Sequence, residues 1–276
     1  MKIRRSATAF GLTAALGATA FLSTHASAAS PGPDSAGTTA RPTVVLVHGA
    51  FADASSWDGV IKDLQQQGYK VVAPANPLRG LPSDSAYLAS VLHSIQGPIV
   101  LVGHSYGGEV ITNAAAGDPQ VKALVYIAAI APDKGESAND ILGKFAGSQL
   151  PTALTNVSYP KADGTSGTDL YVNPDKFRAA FAGDVPATTA AVMAATQRPI
   201  DATALTDKSA AAAWKTIPSW YLVADADKTI PPAAERFMAK RAHAHTIEIN
   251  SSHAAAVSHP DMVAGLIIDA ARSTQK

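Results

Sequence analysis

A chain of 276 residues, 47% hydrophobic and 16% charged, is long enough for one globular domain with a full core and an insertion. Its 22 Lys and Arg balance 22 Asp and Glu with no long run of either sign, so it carries no electrostatic footprint for nucleic acid or an anionic membrane surface. It has no cysteine, which excludes disulfides, thiol catalysis and Cys-based metal sites and leaves stability to the core.

The chain begins with a basic start (Lys2, Arg4, Arg5), an apolar, acid-free stretch over residues 7–22, and the small-x-small triplet Ala26-Ser27-Ala28. That order reads as a secretory signal peptide over 1–28, cleaved near Ala28. The apolar stretch is rich in Ala, Gly and Thr and short for a bilayer span, so no stable membrane insertion is expected. Its removal takes away three basic residues and no acid, moving the formal charge from zero to minus three. Residues 29–41 are rich in Pro, Gly, Ser and Thr and read as a flexible leader to a folded domain over 42–276.

From Pro42 the pattern alternates. Residues 43–47 form a short β-branched run, a buried strand by length and composition. Residues 56–67 carry Trp57, Val60, Ile61 and Leu64 at helical spacing and stop at Gly68. Strands follow over 69–73, 99–102 and 121–129, with helices over 83–95 and 109–116. Residues 132–213 lack clear buried strands. The alternation resumes with strands at 220–224 and 246–249 and helices at 233–242 and 261–272. This implies an α/β fold with a mostly parallel sheet and helices on both faces. Sites in such sheets lie at the carboxyl ends of the strands. The interruption, about 132–215, reads as a helical cap inserted at one such end.

Between the third strand and its helix stands Gly103-His104-Ser105-Tyr106-Gly107-Gly108, a strand, a sharp Gly-x-Ser-x-Gly turn and a helix. In this nucleophile elbow the turn exposes the serine hydroxyl and leaves the Tyr106 N–H free at a helix N-terminus. The motif alone is weak, so partners decide. A serine needs a base, usually His, and an acid that orients it. Of the eight histidines, His25 lies in the signal peptide, His48 and His104 inside turn motifs, His93 in a helix, and His243 and His245 beside a surface-like turn. His259 precedes Pro260 at a helix start. His253 follows the last strand by a short Ser-rich loop and is the candidate base. Asp225 and Asp227 both follow the 220–224 strand and both qualify as the acid by position. A second oxyanion donor should come from the loop after the first strand, His48-Gly49-Ala50-Phe51, where the Ala50 N–H can face the site. Phe51, Trp57, Phe177, Phe181 and Met193, with Tyr171, Gln197 and Arg198, are candidates to line the substrate mouth.

These segments resemble the α/β-hydrolase superfamily, and within it the small esterase and hydroxynitrile-lyase-like branch. The matching stretches are residues 44–57, Ala73-Pro74-Ala75-Asn76-Pro77-Leu78, the elbow, Pro218-Ser219-Trp220-Tyr221 leading to Asp227-Lys228-Thr229-Ile230-Pro231, and Ser252-His253 with Ser258-His259-Pro260. The resemblance implies a triad of Ser105, Asp227 and His253, favouring Asp227 because the family's acid precedes the Ile-Pro turn. The lyases of this branch carry a Lys after the base and a Thr in place of the first turn glycine, where this chain has Ala254 and Gly49. The implied activity is therefore hydrolysis of small or medium carboxylic esters by an exported serine esterase, with no metal or cofactor. The alternatives on the same triad are a cofactor-free haloperoxidase or perhydrolase, and a lactonase.

Overall fold

The structure, a computed structural model, describes residues 41–275. The signal peptide read over 1–28 and nearly all of the leader over 29–41 lie outside the described residues.

The apolar runs form a six-stranded sheet: β1 (Thr43–Val47), β2 (Val71–Val72), β3 (Ile99–His104), β4 (Val121–Ile127), β8 (Ser219–Ala224) and β9 (His245–Ile249). The order is β2-β1-β3-β4-β8-β9, and every neighbouring pair is parallel. Successive strand residues face opposite sides. Val45, Val47, Leu101, Leu124, Tyr126 and Val223 therefore join one apolar cluster, while Val44, Leu46, Val100, Val102, Val125 and Leu222 join another. Helices α1 (Asp58–Gln66), α9 (Ala255–Ser258) and α10 (Pro260–Ser273) cover the second face with Val60, Leu64, Ala255, Val263 and Ile267. Helices α2 (Leu81–His93), α3 (Tyr106–Ala114) and α8 (Pro232–Arg241) cover the first with Leu88, Val110, Ile111 and Met238. Covering both faces explains why the central strands read as unbroken apolar runs. Each buried Val or Leu contributes about 1.5–3 kcal/mol.

The cap between β4 and β8 differs from its expected helical form. It holds α4 (Ala138–Leu142), α5 (Leu150–Ala153), α6 (Pro174–Phe181) and α7 (Ala187–Thr196). It also holds an antiparallel three-stranded sheet of β5 (Leu154–Pro160), β6 (Ser166–Val172) and β7 (Ile200–Asp201). The strands escape a search for buried runs because β5 is mostly exposed and β6 buries only Gly167, Leu170 and Val172. The hairpin signal is nevertheless present: Asp163-Gly164 closes the turn, with Asp163 Oδ1 accepting from Thr165 N at 2.9 Å and Gly164 at φ +83.

The cap is tied down along its length. Phe51 N donates to Arg198 O at 3.0 Å, and Asp201 N to Leu78 O at 3.0 Å. Arg79 Nη1 reaches Asp169 at 2.7 Å. Gln149 N donates to Lys228 O at 2.7 Å, Thr229 Oγ1 to Ala180 O at 2.8 Å, and Ser252 Oγ to Asp184 at 2.5 Å. The loops after β8 and β9 are thus fastened to the cap as well as to the sheet.

Candidate active site

Ser105 is the single residue between β3 and α3, at φ 55 and ψ −128. A positive φ on a residue with a side chain costs of order 1–3 kcal/mol and persists only where the surroundings over-determine it. Here Ser105 O accepts from Gly108 N at 2.9 Å and Ile130 N at 3.0 Å, while Ser105 N donates to Ile127 O at 3.3 Å. The turn needs its glycines for close approach. A Cβ on Gly103 would lie 2.6 Å from Gly107 O, and one on Gly107 would lie 2.5 Å from Val47 O. One on Gly49 would lie 2.6 Å from Ser105 Cβ and 3.2 Å from Ser105 Oγ. The loop after β1 is therefore packed directly on the serine.

That loop is held by His48, a buried side chain. Its Nδ1–H donates to Gly49 O at 2.9 Å and its Nε2 accepts from Asn76 N at 2.9 Å, while Asn76 Nδ2 returns a bond to His48 O at 3.0 Å. Burial pushes the His48 imidazole below its usual range, which suits a neutral ring with one donor and one acceptor nitrogen. The Ala50 and Tyr106 N–H groups donate to no hydrogen-bond acceptor among the described residues. Ala50 directly follows Gly49, which packs on Ser105, and Tyr106 directly follows Ser105 as the first residue of α3, where the helix dipole favours an anion. The Tyr106 side chain points elsewhere: its hydroxyl donates to buried Asp84 at 2.9 Å.

The two aspartates after β8 separate sharply. Asp225 is exposed and paired with Arg236. Asp227 is buried, its Oδ1 accepting from Thr229 N at 2.6 Å and Ile230 N at 2.9 Å. Its Oδ2 meets His253 Nδ1 at 2.5 Å, with both side chains wholly buried. The other imidazole nitrogen, His253 Nε2, is buried and has no hydrogen-bond partner among the described residues. With Nδ1–H directed at Asp227, Nε2 is left as an acceptor. A carboxylate on one nitrogen and a free acceptor on the other is the arrangement that can take a proton from a hydroxyl. Among the described residues no group of three or more His, Cys, Asp or Glu could hold a metal ion.

Comparison with known proteins agrees with this architecture. The description of the Alpha/beta hydrolase family matches residues 44–266. The chain belongs to the alpha/beta hydrolase family. The alpha/beta hydrolase nvfD of Aspergillus novofumigatus is 27% identical over 84% of this chain and 97% of its own length. The pyrethroid hydrolase of Sphingobium wenxiniae is 28% identical over 82% of this chain and 86% of its own. Polyneuridine aldehyde esterase shares the fold with a TM-score of 0.72, at 20% identity, over 83% of this chain and 99% of that one. This hydrolase is thus one whose relatives include ester hydrolases.

The candidate lining residues of the hydrolase fall into distinct groups. Phe181 stands edge-on to His253 with centroids 4.8 Å apart, meets Phe51 at 6.4 Å and packs on Phe177 at 5.1 Å. Met193 joins Phe51 and Gln197 around a cavity of about 160 Å3. Gln197 spends its side chain on the cap, bonding both backbone groups of Val172. Trp57 is not at the mouth: the 3-10 turn Ala54–Trp57 carries it to the far face of the sheet, where it is fully buried and edge-on to His104. A second cavity of about 1280 Å3 opens in the cap beside Phe145, Leu150 and Leu170, with none of Ser105, Asp227 or His253 in its walls. Ser105 itself is only 7% exposed.

The histidine set aside as a turn residue proves structural in a specific way. His104 is buried, its Nε2–H donates to His253 O at 2.9 Å, and its ring lies 4.7 Å from that of His253. Burial, and then the neighbouring His253, push it down to about 3. It is a neutral strut under the candidate base. Its position immediately before Ser105 was the signal available in the sequence.

Proposed function

We propose that this hydrolase is a serine esterase that cleaves small or medium carboxylic esters after export from the cell. The observation that carries the reading is the buried His253, bonded to Asp227 through Nδ1, without a partner at Nε2 among the described residues, and packed on His104, the residue before the strained Ser105 turn. Ser105 Oγ gives its proton to His253 Nε2 and attacks the ester carbonyl carbon. The oxyanion that forms is bound by the Ala50 and Tyr106 N–H groups. Asp227 holds the His253 tautomer and stabilises the imidazolium. His253 then returns the proton to the departing alcohol oxygen, leaving an acyl group on Ser105. Water, deprotonated by the same imidazole, releases the acid. The apolar side chains of Phe51, Phe177 and Phe181 support an uncharged substrate, and the relative described as a pyrethroid hydrolase supports hydrolysis. Export rests on the sequence of residues 1–28.

Ser105→Ala should abolish turnover of a short p-nitrophenyl ester while the circular dichroism spectrum stays unchanged. A fluorophosphonate should label the wild type at Ser105 and not this variant. Turnover at the wild-type rate in Ser105→Ala would sink the reading.

A further inference from the structure

One buried carboxyl takes no part in these steps. Glu235 stands in the first turn of α8, fully buried. Its Oε2 accepts from Ala224 N at 3.0 Å, at the end of β8. Its Oε1 is buried, and no N–H or O–H among the described residues donates to it. Asp227 N donates to the carbonyl of the same Ala224 at 3.1 Å, and the Asp227 side chain lies within hydrogen-bonding reach of Glu235. Two carboxylates buried in contact would repel each other with no donor between them. A single proton cures both defects, because a carboxylic acid donates where a carboxylate only accepts.

We propose that Glu235 is a positioning residue: it carries a proton at neutral pH and donates it to the Asp227 carboxylate, fixing that group as one anion aimed at His253. Burial foremost, and then the Asp227 charge, hold the Glu235 carboxyl well above the usual range, against the opposing pull of the Ala224 N–H and Arg236. The other groups facing it are consistent with a neutral acid. Tyr221, on β8, spends its hydroxyl on Ala129 O. Arg236, on the helix itself, is turned outward to Asp225 and Glu248. Asp227 then receives donors from Thr229, Ile230, His253 and Glu235. A carboxylate held from four directions cannot turn, so it keeps the His253 N–H in one orientation.

The effect on turnover rests on the triad reading above; the shared proton itself does not, and two readouts separate them. The infrared difference between wild type and Glu235→Gln near neutral pH should show loss of one carboxylic-acid C=O stretch. Glu109, another buried acid, cancels in that difference. In ester hydrolysis, Glu235→Gln keeps a neutral donor and should retain kcat within about threefold, whereas Glu235→Leu, with no donor, should lose about tenfold or more at unchanged KM. The wild type should also lose kcat on the alkaline side, as Glu235 ionises beside Asp227, while Glu235→Gln holds its plateau. A purely structural glutamate would shift the melting temperature and leave that alkaline limb in place. No lost C=O band, or wild-type kcat in Glu235→Leu, overturns the proposal. Should Glu235→Leu fail to fold, the infrared band and the Gln variant still decide. Turnover in Ser105→Ala would overturn the triad reading instead and leave the infrared result standing.

Discussion

Replacing Gly49 with alanine should disarm the site without touching Ser105, Asp227 or His253. The added Cβ would lie 2.6 Å from Ser105 Cβ, 2.8 Å from His104 O and 3.2 Å from Ser105 Oγ. The two closest are a Cβ and a strand carbonyl, and neither can be cleared by rotating a side chain. Ser105 is fixed by backbone bonds to Gly108, Ile130 and Ile127, and His104 O belongs to the central strand β3. The loop after β1 must therefore give way, carrying the Ala50 N–H out of line. Overpacking of this kind costs about 1–3 kcal/mol of stability, within the margin of a typical domain. Loss of one oxyanion donor raises the barrier by about 3 kcal/mol, or roughly a hundredfold in kcat. The assay is steady-state hydrolysis of a p-nitrophenyl ester, with urea unfolding as the control. A folded Gly49→Ala variant with kcat within about threefold of wild type would refute the placement of Ala50.

Two further outcomes follow from the acid loop and the histidine strut. Asp227→Asn should lower kcat by about four orders of magnitude by presenting the wrong His253 tautomer, while Asp225→Asn, which breaks only the exposed pair with Arg236, should stay within about twofold. Equal losses in the two variants would contradict the assignment. His104 is held down to about 3 from an ordinary 6.5, so the unfolded chain binds its proton first as pH falls. Its contribution is therefore present above about pH 6.5 and is lost toward pH 3, at about 1.4 kcal/mol per pH unit. His104→Gln should flatten that acid slope, read from urea midpoints near pH 7 and near pH 4. An unchanged slope would mean that other groups set it.

The parallel sheet was legible because its strands are covered on both faces, so Val44 to Val47 and Ile99 to Val102 print as apolar runs with helical spacing between them. The cap sheet was not, since β5 is mostly exposed, β6 is only partly buried, and Thr, Asn, Ser and Asp interrupt their apolar residues; only Asp163-Gly164 betrayed the hairpin. Position along the chain could not separate Asp225 from Asp227, because both follow the same strand. What differs is direction: the turn that offers Thr229 N and Ile230 N to Asp227 sends Asp225 into solvent beside Arg236. Trp57 sits six residues from Phe51, yet a short 3-10 turn carries it across the sheet. Glu235 was invisible as anything but a polar helix residue, because its burial against Asp227 depends on how α8 leaves the Ile230-Pro231 turn.

The bonds that fasten the cap reach the two loops that hold Asp227 and His253: Gln149 to Lys228, Thr229 to Ala180, and Ser252 to Asp184. With Ser105 only 7% exposed, any cap displacement that widened access to it would pull on the loops that carry Asp227 and His253. The cap and the loops that carry Asp227 and His253 are therefore mechanically coupled, so that strain in one is felt by the other.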